Sequence, residues 1–198
     1  MKEDDLLQRI RGFVEASDSS VACPPTTAAA VAAFEASLGL RLPRLYARLL
    51  TEVGNGGFGP GYRIMGIPPD GYVDSDLGAV DLGAAYRERR TCDDPAWRTP
   101  EGLLFLCHWG CGIFSYVDTL SAGAAVVTDD ALPERIEYVE TSSSLAGWLT
   151  DWIEGVNLWE AMHEVVGYRD GVNPFTHKPH RFPVTRLRGR RLDLEDRR

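Results

Sequence analysis

Apolar residues recur along this chain with two periods, helical at both ends and strand-like in the middle. Leu6, Leu7, Ile10, Phe13 and Val14 return every three to four residues, the stripe of an amphipathic helix. Cys23-Pro24-Pro25 breaks it, and Thr26 or Thr27 can cap a second helix carrying Val31, Phe34 and Leu38. A third stripe, Leu45, Tyr46, Leu49, Leu50 and Val53, follows Pro43, a residue suited to a first helical turn. Tyr62 to Ile67 alternates weakly and predicts a strand ended by Pro68-Pro69. Residues 76–90 predict a polar-faced helix. Leu103–Cys107 is an unbroken apolar run, the pattern of a buried strand, and Ile113–Asp118 and Ala124–Thr128 predict two more. Ile136–Val139 adds a short edge. The helical period then returns with Leu145, Trp148, Leu149, Trp152 and Ile153, capped by Ser142 or Ser143 and continued by Leu158–Val166. This order predicts an α+β fold, an antiparallel sheet of about four to six strands with N- and C-terminal helices packed against it.

Between the third stripe and the weak strand lies Gly54-Asn55-Gly56-Gly57-Phe58-Gly59-Pro60-Gly61, with five glycines in eight positions. Gly54 stands where a left-handed residue would end the helix. Asn55, Gly56 and Gly57 suit positive φ angles that cost a β-carbon about 1–2 kcal/mol per residue. A phosphate cradle is excluded on chemistry. Anions bind helix N-termini, and this loop leaves a C-terminus; no lysine follows it, and the dinucleotide fingerprint runs from strand into helix. Gly54, Asn55, Gly56, Gly57, Gly59 and Gly61 therefore read as a structural loop, backbone packed close to something, that displays Phe58.

The same residues resemble a known signature. Leu42-Pro43-x-x-Tyr46-x-x-Leu49-Leu50 followed by the glycine loop is similar to that of the SUKH superfamily. This group takes in the Smi/Knr-type cell-wall regulators and many bacterial immunity proteins. Glu35-x-x-Leu38-Gly39-Leu40-Arg41-Leu42-Pro43 resembles the family's entry into the signature helix. Leu103-Leu104-Phe105-Leu106-Cys107-His108-Trp109-Gly110-Cys111-Gly112 resembles the strand–Trp-Gly–strand hairpin of its bacterial branch. Leu145-x-x-Trp148-Leu149-x-x-Trp152 resembles its closing helix. The resemblance spans residues 26–160 and keeps the family's order.

Composition adds limits. At 198 residues and 44% hydrophobic content the chain suffices for one domain with its own core. No apolar run approaches the ~18 residues of a membrane span. The acidic start Met1-Lys2-Glu3-Asp4-Asp5 is unlike a secretory leader, and Cys23, Cys92, Cys107 and Cys111 are too few for a disulfide scaffold, so a cytoplasmic location is expected. Charge is uneven. Of 21 basic and 29 acidic residues, nine basic and four acidic fall in 168–198. That divides the chain into an acidic domain, 1–167, and a basic, proline-containing C-terminal arm, 168–198; docking on the body, which opposite charge favours, is the expectation for the arm, and disorder is the alternative. An acidic body repels nucleic acid and speeds encounter with basic proteins.

Candidate chemistry does not assemble. Cys107-His108-x-x-Cys111 lacks the second ligand pair that structural zinc requires, unless Cys23, Cys92, His177 or His180 folds back. Neighbouring strand residues point to opposite faces, which separates Cys107 from His108 as a thiolate–imidazolium pair. No Gly-x-Ser-x-Gly elbow occurs. Asp93-Asp94 and Asp129-Asp130 sit in expected loops, where adjacent acids are solvated. No catalytic residue, metal ligand or cofactor is assigned. Trp148 and Trp152 share a helix face and read as core, whereas Trp109, at a hairpin turn, reads as displayed.

What the resemblance implies is a non-enzymatic recognition domain: an immunity protein that binds a cognate polymorphic toxin, often a nuclease with a basic cleft. The expected partner is thus a basic protein domain, not nucleic acid or membrane. Phe58, Tyr62, Trp109 and Tyr116 are the candidate apolar anchors, and Glu52, Asp118, Asp129 and Asp130 the candidate acids. The alternative is an intracellular regulatory scaffold similar to the Smi/Knr cell-wall regulators.

Overall fold

The computed structural model describes residues 2–17, 22–132 and 135–193. The first half is helical: α1 (Glu3–Ala16), α2 (Ala28–Leu38), α3 (Arg44–Glu52) and α4 (Leu82–Arg90). A meander of β1 (Leu103–Gly110), β2 (Ile113–Asp118), β3 (Val126–Leu132) and β4 (Arg135–Ser142) follows, then α5 (Leu145–Ile153) and the one-turn α6 (Leu158–Ala161). The chain ends in β5 (His163–Val172), β6 (Pro179–Leu187) and β7 (Arg190–Arg191). The main sheet is antiparallel in the order β1-β2-β3-β4-β7, and β5 and β6 form a separate two-stranded ribbon.

One core joins the helices to the sheet, whose strands β1 and β2 are buried on both faces. Leu6, Leu7 and Ile10 of α1, Leu45, Tyr46, Leu49 and Leu50 of α3, and Leu145, Trp148 and Leu149 of α5 are buried together with Phe105, Phe114, Tyr116 and Tyr138 from the strands. Each such side chain contributes about 1.5–3 kcal/mol. Thr27 caps α2 as expected, its Oγ1 accepting from the Ala30 N–H (3.1 Å), whereas α5 is capped by Ser144 rather than Ser142 or Ser143, its Oγ accepting from the Gly147 N–H (3.1 Å). Strand β1 is buried from Leu103 to His108, as its unbroken apolar run requires. The expected 76–90 helix divides into a 3-10 turn at Ser75–Leu77 and α4, capped by Asp81.

Four elements differ from the pattern reading. Residues 62–67 form no strand. Only Ile64 bridges Cys107, and the remaining backbone bonds scatter, Met65 N–H to Leu106 O and Gly66 N–H to Tyr72 O. Two features explain this: Arg63 takes a positive φ, +83°, which interrupts the extended backbone, and at the far end Ile67 is held by Asn55, whose side chain acts as a detached peptide group. Its Nδ2 donates to Ile67 O (2.8 Å) and its Oδ1 accepts from Ile67 N–H (2.9 Å), which occupies the hydrogen bonds a strand would use. Secondly, α3 ends on Val53 in a right-handed conformation, and Gly54 has no positive φ. A β-carbon there would lie 2.8 Å from Cys23 O, so Gly54 serves close backbone approach. Gly56 does take a positive φ, +81°, against the backbone of Ile64 and Gly66. Thirdly, β4 is not an edge, because β7 pairs with it (Val139 with Arg191, Glu140 with Arg190) and Arg190 reaches Glu140 at 2.6 Å. Lastly, Val165 and Val166 belong to β5 rather than to a helix, and the 167/168 division falls inside that strand.

Candidate functional site

The β1–β2 turn concentrates the exposed aromatic chemistry of the body. On the sheet face that carries Ser115 and Thr128, Trp109 packs against Trp159 of α6 (centroids 5.9 Å apart) and against the small cluster of Val139, Met162 and Leu187. Its Nε1 donates to Ser115 Oγ (2.8 Å), from which a hydroxyl row crosses the strands through Thr128 (2.8 Å) to Thr141 (3.1 Å). Trp109 thereby fixes the root of the β5–β6 ribbon and is half-buried. On the other side of the turn Tyr62 stands 51% exposed, its ring edge-on to His108 (5.1 Å, 88°). The Tyr62 N–H donates to His108 O at 2.7 Å, so the end of the glycine loop lies directly on β1.

The remaining candidate anchors and acids divide by burial. Phe58 (3% exposed) points inward, toward Trp152, and Tyr116 (1%) lies in the core, so neither presents a surface. Asp118 is buried because its Oδ1 caps the β2–β3 turn, accepting from Leu120 N–H (3.0 Å). Asp129 is buried; it accepts from Phe114 N–H (2.6 Å) and Tyr116 OH (2.9 Å). Burial pushes its carboxyl up to about 7, against those two donors and the nearby Arg89. Glu52 is half-buried and engaged by Arg48 (2.6 Å), which holds its carboxyl below the usual range. Asp130 is half-buried on β3, opposite Glu137. Tyr62, Trp109, Glu52 and Asp130 keep surface; Phe58, Tyr116, Asp118 and Asp129 are corrected to interior positions. The cysteines of Cys107-His108-x-x-Cys111 separate as well, Cys107 buried and Cys111 exposed at the turn.

Two features were not legible in the sequence reading. The first is the ribbon itself. Strands of ten and nine residues pair along their whole length, from His163–Leu187 to Val172–Pro179, yet nearly every side chain beyond the root meets solvent. Val165, Tyr168, Val172, Phe175 and Val184 are each more than a third exposed, Phe175 at the loop by 90%. Arg181 covers the Tyr168 ring at 5.0 Å, and Asn173 Oδ1 ties the loop by accepting from Phe175 and Thr176 N–H. Val165-Val166 and Tyr168 were a signal for it, masked by Pro174, Pro179 and Pro183. The second is a meeting of Asp74 and Asp76 with His108. Asp74 Oδ1 is 3.3 Å and Asp76 Oδ2 3.7 Å from His108 Nδ1. The imidazole is fully buried, and neither ring nitrogen has a hydrogen-bond partner. Such a group costs about 1–3 kcal/mol when left unpaired. No spacing rule links an Asp-x-Asp turn to a histidine 32 positions on.

The family model SUKH_6, described as SMI1-KNR4 cell-wall, matches residues 28–142, from the start of α2 to the end of β4. Among curated proteins none matches the chain. No helix among the described residues is long and apolar enough to cross a membrane.

Proposed function

The chain belongs to the SMI1-KNR4 (SUKH) family, and on that premise we propose that it is a non-enzymatic binding domain, an immunity protein that neutralises a cognate toxin by direct contact. The observation that carries the reading is the β5–β6 ribbon. A two-stranded ribbon with neither face covered is marginally stable alone. Exposed apolar area of this kind marks surfaces that meet another protein. Tyr168, Val172 and Phe175 supply that area, and Trp109 and Trp159 anchor the root against the sheet, so the ribbon is held out from a fixed base.

Charge supports a basic partner. The basic residues are concentrated in the C-terminal segment, and the rest of the chain is strongly acidic. An acidic body raises the encounter rate with a basic domain by about 10–10³-fold at low salt. A nuclease toxin with a basic substrate cleft fits the acidic body, and the ribbon, itself net basic, adds apolar contact outside that cleft. Enzymatic activity is not part of this reading.

The test is capture of partners from the source organism's lysate with the full chain, followed by titration of the recovered protein in low and high salt. The expected result is one basic domain bound at about nanomolar affinity, weakened by salt, with Tyr168→Ser costing at least about tenfold and leaving the melting temperature in place. Several weak partners would favour a regulatory scaffold and overturn the immunity reading. Undiminished binding by Tyr168→Ser and Phe175→Ser would remove the ribbon from the interface.

A further inference from the structure

Away from the ribbon and the toxin-binding reading, an imidazole and two carboxylates converge beneath Tyr62. We propose that Asp74, Asp76 and His108 form a binding site for one divalent first-row transition-metal ion of the Zn2+ type. The donor atoms of the three side chains all lie within 4.8 Å of one another. At metal–ligand bonds of about 2.0–2.1 Å, tetrahedral donors sit about 3.4 Å apart. His108 Nδ1 and Asp74 Oδ1, at 3.3 Å, already have that separation, and Asp76 Oδ2, at 3.7 Å, is close to it.

The decisive observation is the state of His108. Its ring is completely buried and aimed at the two acids, yet it donates no hydrogen bond to either. An imidazolium held as a simple ion-pair partner would direct an N–H at a carboxylate oxygen. Nδ1 instead stands at chelating distance from both acids without the alignment a hydrogen bond to either requires, an arrangement that suits a shared metal ion. The ring cannot turn away, because Phe114 stacks on it (4.6 Å, 21°) and Tyr62 closes its other side. Asp74 is equally fixed, its Oδ1 capping the 3-10 turn through Asp76 N–H (2.9 Å) and its Oδ2 3.4 Å from Tyr72 OH.

The donor set narrows the ion. Two carboxylates neutralise a divalent charge, while the imidazole selects against Mg2+ and Ca2+, which prefer oxygen and retained water. Three protein ligands leave at least one coordination position open. The Asp76 side chain is 64% exposed, so that position opens on the solvent side, where water or a group of another molecule can complete it. Sequence spacing could not reveal this, since the ligands come from a turn and a strand joined only by the fold.

The experiment is calorimetric titration of the chelator-stripped full chain with Zn2+, paired with Co2+ absorption. One ion per chain is expected, with a raised melting temperature, and Co2+ bands free of thiolate charge transfer. Asp76→Asn, a change at an exposed position, should weaken binding at least about tenfold while the fold is retained by circular dichroism. His108→Gln should do the same. Cys111→Ser and His177→Asn with His180→Asn should leave binding intact. Absence of binding at about 0.1 mM Zn2+ overturns the proposal, as does binding unchanged by both Asp76→Asn and His108→Gln or lost in the Cys111 or ribbon-histidine variants.

Discussion

Asp129 makes stability depend on pH in a direction opposite to that of most carboxylates. Its ordinary value of 3.8 is raised to about 7, chiefly by burial. Between those values the folded chain keeps a proton that the unfolded chain has released, so unfolding becomes easier as pH rises. The contribution is full below about pH 4, declines through neutrality and is flat above it. A shift of about three units corresponds to about 4 kcal/mol, of which about 3 kcal/mol falls between about pH 4.5 and 7.5. Glu52 and Glu137, held low by Arg48 and Arg135, act with the opposite sign at more acidic pH. Asp129→Asn isolates the effect. Its side-chain oxygen can still accept from Phe114 N–H, and its amide can donate to the Tyr116 oxygen, but it does not titrate. Urea denaturation of both proteins across this range should show wild type losing about 3 kcal/mol relative to the variant as pH rises. Parallel stability curves would refute the reasoning, because they would mean that Asp129 is ionised and adequately solvated in the fold.

Other outcomes follow from single contacts. Asn55→Ala strands both the N–H and the C=O of Ile67 and should cost about 2–4 kcal/mol, read as a lowered urea midpoint. Gly61→Ala puts a β-carbon 2.5 Å from His108 O at a φ of +61°; a loss of at least about 2 kcal/mol is expected in the same assay, and a neutral effect would refute close packing of this loop. Maleimide should label Cys111 first, whereas Cys107, its thiol pushed up by full burial, should react only after unfolding; mass spectrometry of digested protein decides.

How far the sequence could be read depended on whether polarity matched burial. Leu103–Cys107 and the α3 and α5 stripes were legible because apolar residues there are also interior ones. Asp118 and Asp129 misled for the converse reason: polar by composition, they are interior because backbone N–H groups at Leu120 and Phe114 bind them. The ribbon reverses the rule again, placing Val165, Tyr168 and Val172 outside and carrying prolines in a strand that has no central position to fill. Residues 62–67 show a third case, an alternating segment interrupted by the positive φ of Arg63 and held at Ile67 by the Asn55 side chain.

The glycine loop links these cases to the site. Asn55 locks the loop to Ile67, and Gly56 lets its backbone pass against Ile64 and Gly66 without a side chain between them. Held at that end, the chain reaches Gly61, where the absent β-carbon allows contact with His108 O, and Tyr62 is laid over the imidazole as a consequence. The same strand end turns Trp109 to the opposite face, where it braces the ribbon root through Trp159. A loop with no chemistry of its own therefore determines the position of two surfaces at once: the enclosed histidine facing Asp74 and Asp76, and the aromatic base from which the ribbon projects. Loss of side chains in the loop is what permits both, since any bulk at Gly61 would lift Tyr62 from His108 and press on Trp109, whose ring lies 3.2 Å from that missing atom.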